Sequence, residues 1–257
     1  ITDAYAGTIT NIPKRTEIFE DTETIDSKLY HADYLLTESE IAVNIDTEER
    51  YSNLQDALDE CGEGETIQLI ANVPLYYAVT NNNTAAITLD LNGYTISTNK
   101  PMTNKGNLTL INTSENIGEI KTSSALTLLT NTNILKTNNV KFKNVSSSYY
   151  VVSNQSQLEM ENTTIESIYG VSNSSVATIK NSNIKTSSTA INNSNTLTIE
   201  GGTYSGSYSV YTNSASNVNV TNATLNGTYY NASNSTIETS NINGSVQNNS
   251  RTLNINN

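Results

Sequence analysis

Six phrases decide the fold: VKFKNV at 140–145, LEMENTTI at 158–165, ATIKNSNI at 177–184, LTIEGGTY at 197–204, VNVTNATL at 218–225 and IETSNI at 237–242. They recur every twenty residues or so, about the length of one solenoid coil. In each phrase two apolar candidates alternate with outward residues: Val140 and Phe142, Leu158 and Met160, Ala177 and Ile179, Leu197 and Ile199, Val218 and Val220, Ile237 and Thr239. Alternation with a period of two is the mark of a strand with one buried face.

Two residues beyond each second inward position stand Asn144, Asn162, Asn181, Gly201, Asn222 and Asn241, a column that is asparagine at all but one coil. Stacked amides can bond one another and the turn backbone, because each carries two donors and an acceptor. An unpaired interior amide would cost about 1–3 kcal/mol. The column is therefore expected to be a structural ladder of Asn144, Asn162, Asn181, Asn222 and Asn241. The residues just before it, Lys143, Glu161, Lys180, Glu200, Thr221 and Ser240, place alternating charges on the outer face and favour one register.

A second apolar beat falls at Ile165, Ile184, Tyr204, Leu225 and Ile242, and a third at Val151, Val171, Ile191, Val210 and Tyr230. Three strands per turn around a narrow core describe an all-β fold, a single-stranded parallel β-helix. Parallel crossovers are right-handed almost without exception, so a right-handed coil is expected. From residue 65 on, about nine coils at ~4.8 Å would make a rod on the order of 45 Å long.

Composition agrees with a solenoid. The 257 residues contain 35% hydrophobic residues, 15 Tyr, 2 Phe and no Trp, too little bulk for a broad globular core but enough for a narrow one. The formal net charge is -12, with most of the acid before residue 66, so no basic groove offers itself to nucleic acid. No run reaches the roughly 18 apolar residues of a membrane span, so no membrane insertion is expected. The single cysteine, Cys61, ends an apolar stripe and reads as a small buried residue.

Residues 1–50 are acidic and carry no repeat. They are read as a linker or the end of a preceding domain, with strands against the solenoid as the other possibility, and they contain the only histidine, His31. The β-helix domain is expected over 51–257. Its first element, YSNLQDALDECGEGETIQLI from Tyr51, reads as a capping helix at about 52–61: Ser52 and Gln55 as a capping box, Leu54, Ala57, Leu58 and Cys61 as one apolar stripe, Gly62 as the stop. Such a helix would cover the open edge of the coil stack. Between Asn112 and Val140 the period lengthens by about half a coil, and SSALTLLTNTNIL fills an insertion over about 113–134, a place where solenoids grow binding loops. The chain opens at Ile1 without a signal sequence, and the last coil, 253–257, has no capping helix, so the sequence is expected to continue in a longer protein.

The phrases LQDALDECGEGETIQLIANV from Leu54, ITLDLNGYTIS from Ile87, NKGNLTLINT from Asn104 and IGEIK from Ile117 resemble the pectate-lyase-like right-handed β-helix superfamily. More narrowly, they are similar to its adhesive, non-catalytic branch in large surface proteins of Gram-positive gut bacteria. The resemblance covers residue 51 to the end. It implies an extracellular place on a bacterial cell surface, and a partner that is a host or environmental polysaccharide or a host surface protein. Nothing in the pattern sets an oligomeric state.

Many relatives of that fold are polysaccharide lyases or glycoside hydrolases, and that is the alternative reading. In the lyases the resemblance would imply an aspartate cluster holding calcium and a basic proton abstractor. Here no aspartate follows Asp90, and the glutamates beyond it (115, 119, 159, 161, 166, 200 and 238) are scattered over several faces. Hydrolysis would need two carboxyls across one bond. No catalytic residue, metal site or cofactor is therefore assigned. Glu159 and Glu161 are read as partners of Lys141 and Lys143, and the acidic run EDTETID at 20–26 as solvated. Thr178 and Thr198 are the only clear adjacent pair in an outward threonine column, too few for an ice-binding surface.

Sugar binding asks for amides and flat aromatic rings. Tyr150 and Tyr229 fall in one outward column, with Gly170, Ala190 and Ser209 between them, and Tyr211 faces out across its strand; these three are the candidate ligand-binding residues. Tyr149, Tyr169 and Tyr208 run in phase with the core and read as packing residues. The sequence thus describes a non-catalytic adhesin or stalk segment that presents a polar Asn/Ser/Thr-rich face to glycans or proteins.

Overall fold

The computed structural model describes residues 16–25, 28–37, 39–144, 146, 148–213, 216–249 and 251–256, with side chains from residue 39 on. The chain divides into two units, Ile1–Glu40 and Ile41–Asn257. In the first, Thr16–Ile25 and Lys28–Thr37 form an antiparallel pair. The side chains of His31 and of the run at 20–26 lie outside the described residues.

The second unit is the expected parallel β-helix, with three strands to each regular coil. The first face is a 12-stranded sheet, parallel from Thr66–Leu69 to Leu253–Asn256. Its inner positions stack Leu108, Leu135, Leu158, Ala177, Leu197 and Val218 in one row, and Leu110, Thr137, Met160, Ile179, Ile199, Val220 and Ile237 in the next. The second face stacks Ile96, Ile120, Phe142, Ile165, Ile184, Tyr204, Leu225 and Ile242. The third stacks Val79, Met102, Leu129, Val152, Val171, Ile191, Val210 and Tyr229. From Thr164–Asn173 onward the second and third faces share single long strands, bent at a register shift, and together make one 14-stranded sheet.

Three sequence alignments need correction. The strand Val140–Asn144 lies on the second face between Gly118–Thr122 and Thr164–Asn173, so Val140 and Phe142 do not stack on Leu158 and Met160; Leu135 and Thr137 do. The cause is the insertion, which stretches the step from Asn104 to Asn131 to 27 residues, against 19 from Asn154 to Asn173 and 20 from Asn173 to Asn193. Near the other end, Val220 pairs with Ile237, so Thr239 is a turn residue and not an inward one. On the third face the stacked residues are Val152 and Tyr229, each one place from the expected Val151 and Tyr230.

The cap is larger than expected. The β-helix unit begins at Ile41, before residue 51, because Ala42–Asn44 and Arg50–Tyr51 add antiparallel strands to the edge of the first face. The helix runs Leu54–Glu60, with Leu54, Ala57, Leu58 and Cys61 buried as the stripe predicts. Its N-cap is Asn53, not Ser52: the Asn53 side chain accepts from Gln55 N at 2.8 Å. Gln55 does not close a capping box either. Its amide donates to Thr80 O and accepts from Thr80 N, both at 2.8 Å, and so joins the helix to the first strand of the third face, Val79–Asn81. Burial pushes the Cys61 thiol up to about 11, so it stays protonated.

An amide ladder is present, built from asparagines other than those expected. Asn81, Asn104, Asn131, Asn154, Asn173 and Asn193, at the end of the third face, are all buried. Each donates its Nδ2 to the Oδ1 of the next, at 2.9, 2.8, 2.8, 2.7 and 2.6 Å. Thr212 continues the line to Asn231, and Asn231 donates to Asn248 at 2.8 Å. The same amides hold the turn backbone; Asn173 Nδ2 also reaches Ser175 O at 3.0 Å and Thr196 O at 2.9 Å. From Asn81 to Asn173 each buried amide thus meets an acceptor one coil away, and the Asn193 amide donates to Asn195 O in its own turn.

The predicted column has a different cause. Its Asn162, Asn181, Gly201 and Asn222 stand where the chain leaves the first face, with positive φ (46, 46, 73 and 53°), and the coils at either side put Asn139 and Thr239 there (58 and 47°) in place of the expected Asn144 and Asn241. Asparagine and glycine tolerate this left-handed conformation better than other residues do. Of the expected ladder, Asn162, Asn181, Asn222 and Asn241 are exposed. Asn162 touches Asn138 at 3.2 Å, and Asn222 accepts from Thr239 at 2.8 Å. Asn144 is buried on the second face, where its amide donates to Leu126 O at 3.0 Å and pins the insertion.

Candidate functional site

The third face carries most of the outward tyrosines. Its register sets Tyr150 beside Tyr169, then Thr189, Tyr208 and Thr228 in one outer column. A neighbouring column reads Ser153, Ser172, Asn192, Tyr211, Tyr230 and Gln247. Tyr150, Tyr169, Tyr208, Tyr211 and Tyr230 are all half-buried, with part of each ring on the surface. Five rungs, or four inter-strand steps of ~4.8 Å, separate the first from the last, roughly 19 Å along the rod.

The rings pack in two groups, a trio and a pair. Tyr211 and Tyr230 stack with centroids 4.4 Å apart and planes 4° from parallel. Tyr208 stands edge-on to both, at 5.5 and 6.4 Å with an interplanar angle of 89° in each case. Tyr150 and Tyr169 meet at 5.2 Å and 61°. Asn249 donates to the Tyr230 hydroxyl at 2.9 Å. Packing of this kind fixes each ring and reduces the entropy lost when a ligand settles on it. Burial pushes the Tyr150 and Tyr211 phenols up, so both are neutral donors through the physiological range. Asn192, in the same field, has a buried Oδ1 that accepts no hydrogen bond.

Of the three tyrosines singled out from sequence, Tyr150 and Tyr211 belong to this strip. Tyr229 does not: it is 0% exposed and fills the core beneath. The reason is a register shift between Tyr208 and Val210, which set against Thr228 and Tyr229 drop one residue from the coil and turn Tyr229 inward and Tyr230 outward. Tyr169 and Tyr208, read as packing residues, are strip members, and Tyr149 is exposed beyond the end of its strand. The signal in the sequence was Gly227, whose φ of 135° marks the irregular corner.

Several charged groups elsewhere on the rod are paired. On the first face Lys136 meets Glu159 at 3.0 Å and Lys180 meets Glu200 at 2.9 Å. On the second, Lys141 lies 3.0 Å from Glu166 and 3.6 Å from Glu119. The expected partnership of Glu159 and Glu161 with Lys141 and Lys143 is thereby corrected, since those lysines lie one face round. Lys136 holds the Glu159 carboxyl below the usual range, and Lys141 does the same to Glu166. Among the described residues no three His, Cys, Asp or Glu side chains converge as metal ligands, and no helix is long and apolar enough to cross a membrane.

No protein family, curated protein or solved structure matches this chain.

Proposed function

We propose that this chain is a non-catalytic segment of a bacterial surface adhesin, allied to the pectate-lyase-like β-helices, and that the tyrosine strip of its third face holds glycan. The observation that carries this reading is the strip itself: a packed pair and a packed trio of tyrosine rings on one outer face, separated by the rung of Thr189. A pyranose ring offers apolar C–H faces to an aromatic plane and hydroxyls to the amides and hydroxyls around it. The amide ladder and the paired backbone support the stalk part of the reading, because they leave a rigid platform with few loops open to cleavage.

The rival reading, a lyase or hydrolase, needs a carboxyl poised to give up or take a proton near neutral pH. Glu159 and Glu166 are held ionised by lysines instead, which favours the adhesin. Affinity electrophoresis through gels cast with neutral plant and mucin-type polysaccharides tests the choice. Retarded migration over intact polymer supports the adhesin, a cleared track supports the enzyme, and unretarded migration in every gel rejects the glycan-binding strip.

A further inference from the structure

The amide ladder has one weak step. Asn193 gives its Nδ2 to Asn195 O in its own turn at 2.7 Å, and the next coil carries Thr212 in place of asparagine. The Thr212 hydroxyl reaches Asn231 Oδ1 only at 3.5 Å, against 2.6 to 2.9 Å for the amide links between Asn81 and Asn193. The residues just before Thr212 and Asn231 are Tyr211 and Tyr230, set opposite each other by the pairing of Thr203–Thr212 with Thr224–Asn231. Among the described residues the only parallel ring stack thus lies on the step where the ladder is thinnest.

The two side chains leave parallel strands in register, so their hydroxyl ends lie together and not at opposite ends of the stack. Centroids 4.4 Å apart and planes 4° from parallel put the rings face to face in van der Waals contact, with the carbons ortho to the two hydroxyls as close neighbours. Burial and the adjacent Tyr230 phenol push the Tyr211 phenol up, in keeping with hydroxyls side by side. Asn249 donates to the Tyr230 hydroxyl at 2.9 Å and helps to hold that ring in place. The other ring contacts are poorly aligned for such an approach: Tyr208 stands edge-on to both rings, at 89°, and Tyr150 and Tyr169 are inclined at 61°. Tyr211 and Tyr230 are half-buried, so a small reagent can reach part of each ring.

We propose that Tyr211 and Tyr230 form a site of oxidative cross-linking, where a one-electron oxidant of the kind a peroxidase makes from hydrogen peroxide joins two successive coils as dityrosine. Each phenol gives up one electron and one proton and becomes a phenoxyl radical. The two radicals pair their electrons in a new carbon–carbon bond between ortho positions. The hydrogens on those two carbons then pass to the oxygens, which restores both phenols. The pair loses two hydrogen atoms in all, and one peroxide is reduced to two waters. Rings already held face to face make the coupling an intramolecular step. The bond closes the stretch of chain from Tyr211 to Tyr230 into a loop and so restricts the unfolded chain, as other covalent cross-links do. It does this at the step that the ladder serves least. The cross-link does not require a glycan on the strip.

The test is photo-oxidation of the whole folded chain, kept dilute, with ruthenium tris-bipyridine and persulfate; this oxidant is small, and each persulfate takes two electrons and becomes two sulfates. The expected result is the blue fluorescence of dityrosine in a chain that still runs as a single chain on a denaturing gel. Peptide mapping by mass spectrometry should find Tyr211 joined to Tyr230 with two hydrogens lost. Tyr211→Phe keeps a ring in the stack but should lose most of the fluorescence, whereas Tyr208→Phe should keep it. Unfolding in urea before oxidation should remove this product as the major one. The cross-linked wild type should unfold at a higher urea concentration than before treatment, and treated Tyr211→Phe should not. A folded chain oxidised without dityrosine, dityrosine that Tyr211→Phe leaves undiminished, or bonds formed only between chains would overturn the site. An unchanged urea midpoint in the cross-linked chain would overturn its role in holding this step.

Discussion

Asn173 donates its side-chain amide to Asn193 at 2.6 Å, and both residues are almost wholly buried. Asn173 also accepts from Asn154 at 2.7 Å and caps two carbonyls. Asn173→Leu would break all of these links and strand polar atoms on both neighbouring coils. Each orphaned group costs about 1–3 kcal/mol, so the variant should lose about 3 kcal/mol or more, read from the urea midpoint. A loss below 1 kcal/mol would mean that the ladder does not hold the coils.

Asn181 should behave differently although it also stands in an asparagine column. Its φ is 46°, its side chain is exposed, and the next coil already has Gly201 at that place. Asn181→Gly should change stability by less than about 0.5 kcal/mol, whereas Asn181→Val should cost about 1–2 kcal/mol by forcing a branched residue into the left-handed region. Equal effects of the two substitutions would contradict the turn assignment.

These two columns show how far the sequence could be read. The period, the inward pairs from Leu158 to Val220 and the second beat from Ile165 to Ile242 were all legible, because burial on one face of a strand enforces alternation. The role of each asparagine column was not, since an amide that bonds its neighbour and an amide that tolerates positive φ look alike in one chain. A sign was present: Asn154, Asn173, Asn193 and Asn231 each fall two places after an inward residue of the third face. The tyrosine strip was half legible. Tyr150 and Tyr211 could be placed outward, but Tyr229 and Tyr230 exchange faces at a corner where one residue is missing, and no periodic count registers such a slip.

Tyr229 gives a direct check of that exchange. Burial raises its phenol to about 12, and its hydroxyl makes no hydrogen bond; the nearby Ser235 Oγ gives its proton to Asn231 Oδ1 at 2.6 Å and so donates none to the phenol. Removing an orphaned buried hydroxyl should be neutral or stabilising by about 1 kcal/mol. Tyr229→Phe should therefore melt at or above the wild-type temperature and keep full glycan retention. A lower melting point would place a partner on that hydroxyl.

Gly227 is fixed twice over. Its φ is 135°, and a Cβ there would lie 2.0 Å from the Gly206 carbonyl oxygen. Gly227→Ala should cost about 1–3 kcal/mol and disturb its own strand, which holds Tyr230, and the neighbouring rung, which holds Tyr208. Tyrosine fluorescence together with thermal melting would read both effects; an unaltered melt would contradict the tight corner.

Acid should weaken the rod. The Gly62 amide and the Asn44 side chain hold the Glu65 carboxyl low, as Lys136 does for Glu159 and Lys141 for Glu166. A carboxyl whose folded value is depressed stabilises the fold fully above its unfolded value, about 4.3, and loses that contribution as pH falls through the folded value. Melting temperature should therefore decline below pH 4–5. The part of the decline due to Glu159 and Glu166 should shrink in high salt, because those pairs are surface pairs. A melting temperature that rises as pH drops from 5 to 3 would reverse the sign of all three shifts.

The central claim is that the stacked tyrosines of the third face hold glycan. The most direct measurement is retardation of wild type and of Tyr208→Ala/Tyr230→Ala in gels cast with a neutral polysaccharide that retains the wild-type chain. The account predicts at least a tenfold loss of retention with a melting temperature that falls only modestly, since stacking beyond area burial contributes about 0.5–1.5 kcal/mol per pair. Undiminished retention by a folded double variant would contradict it.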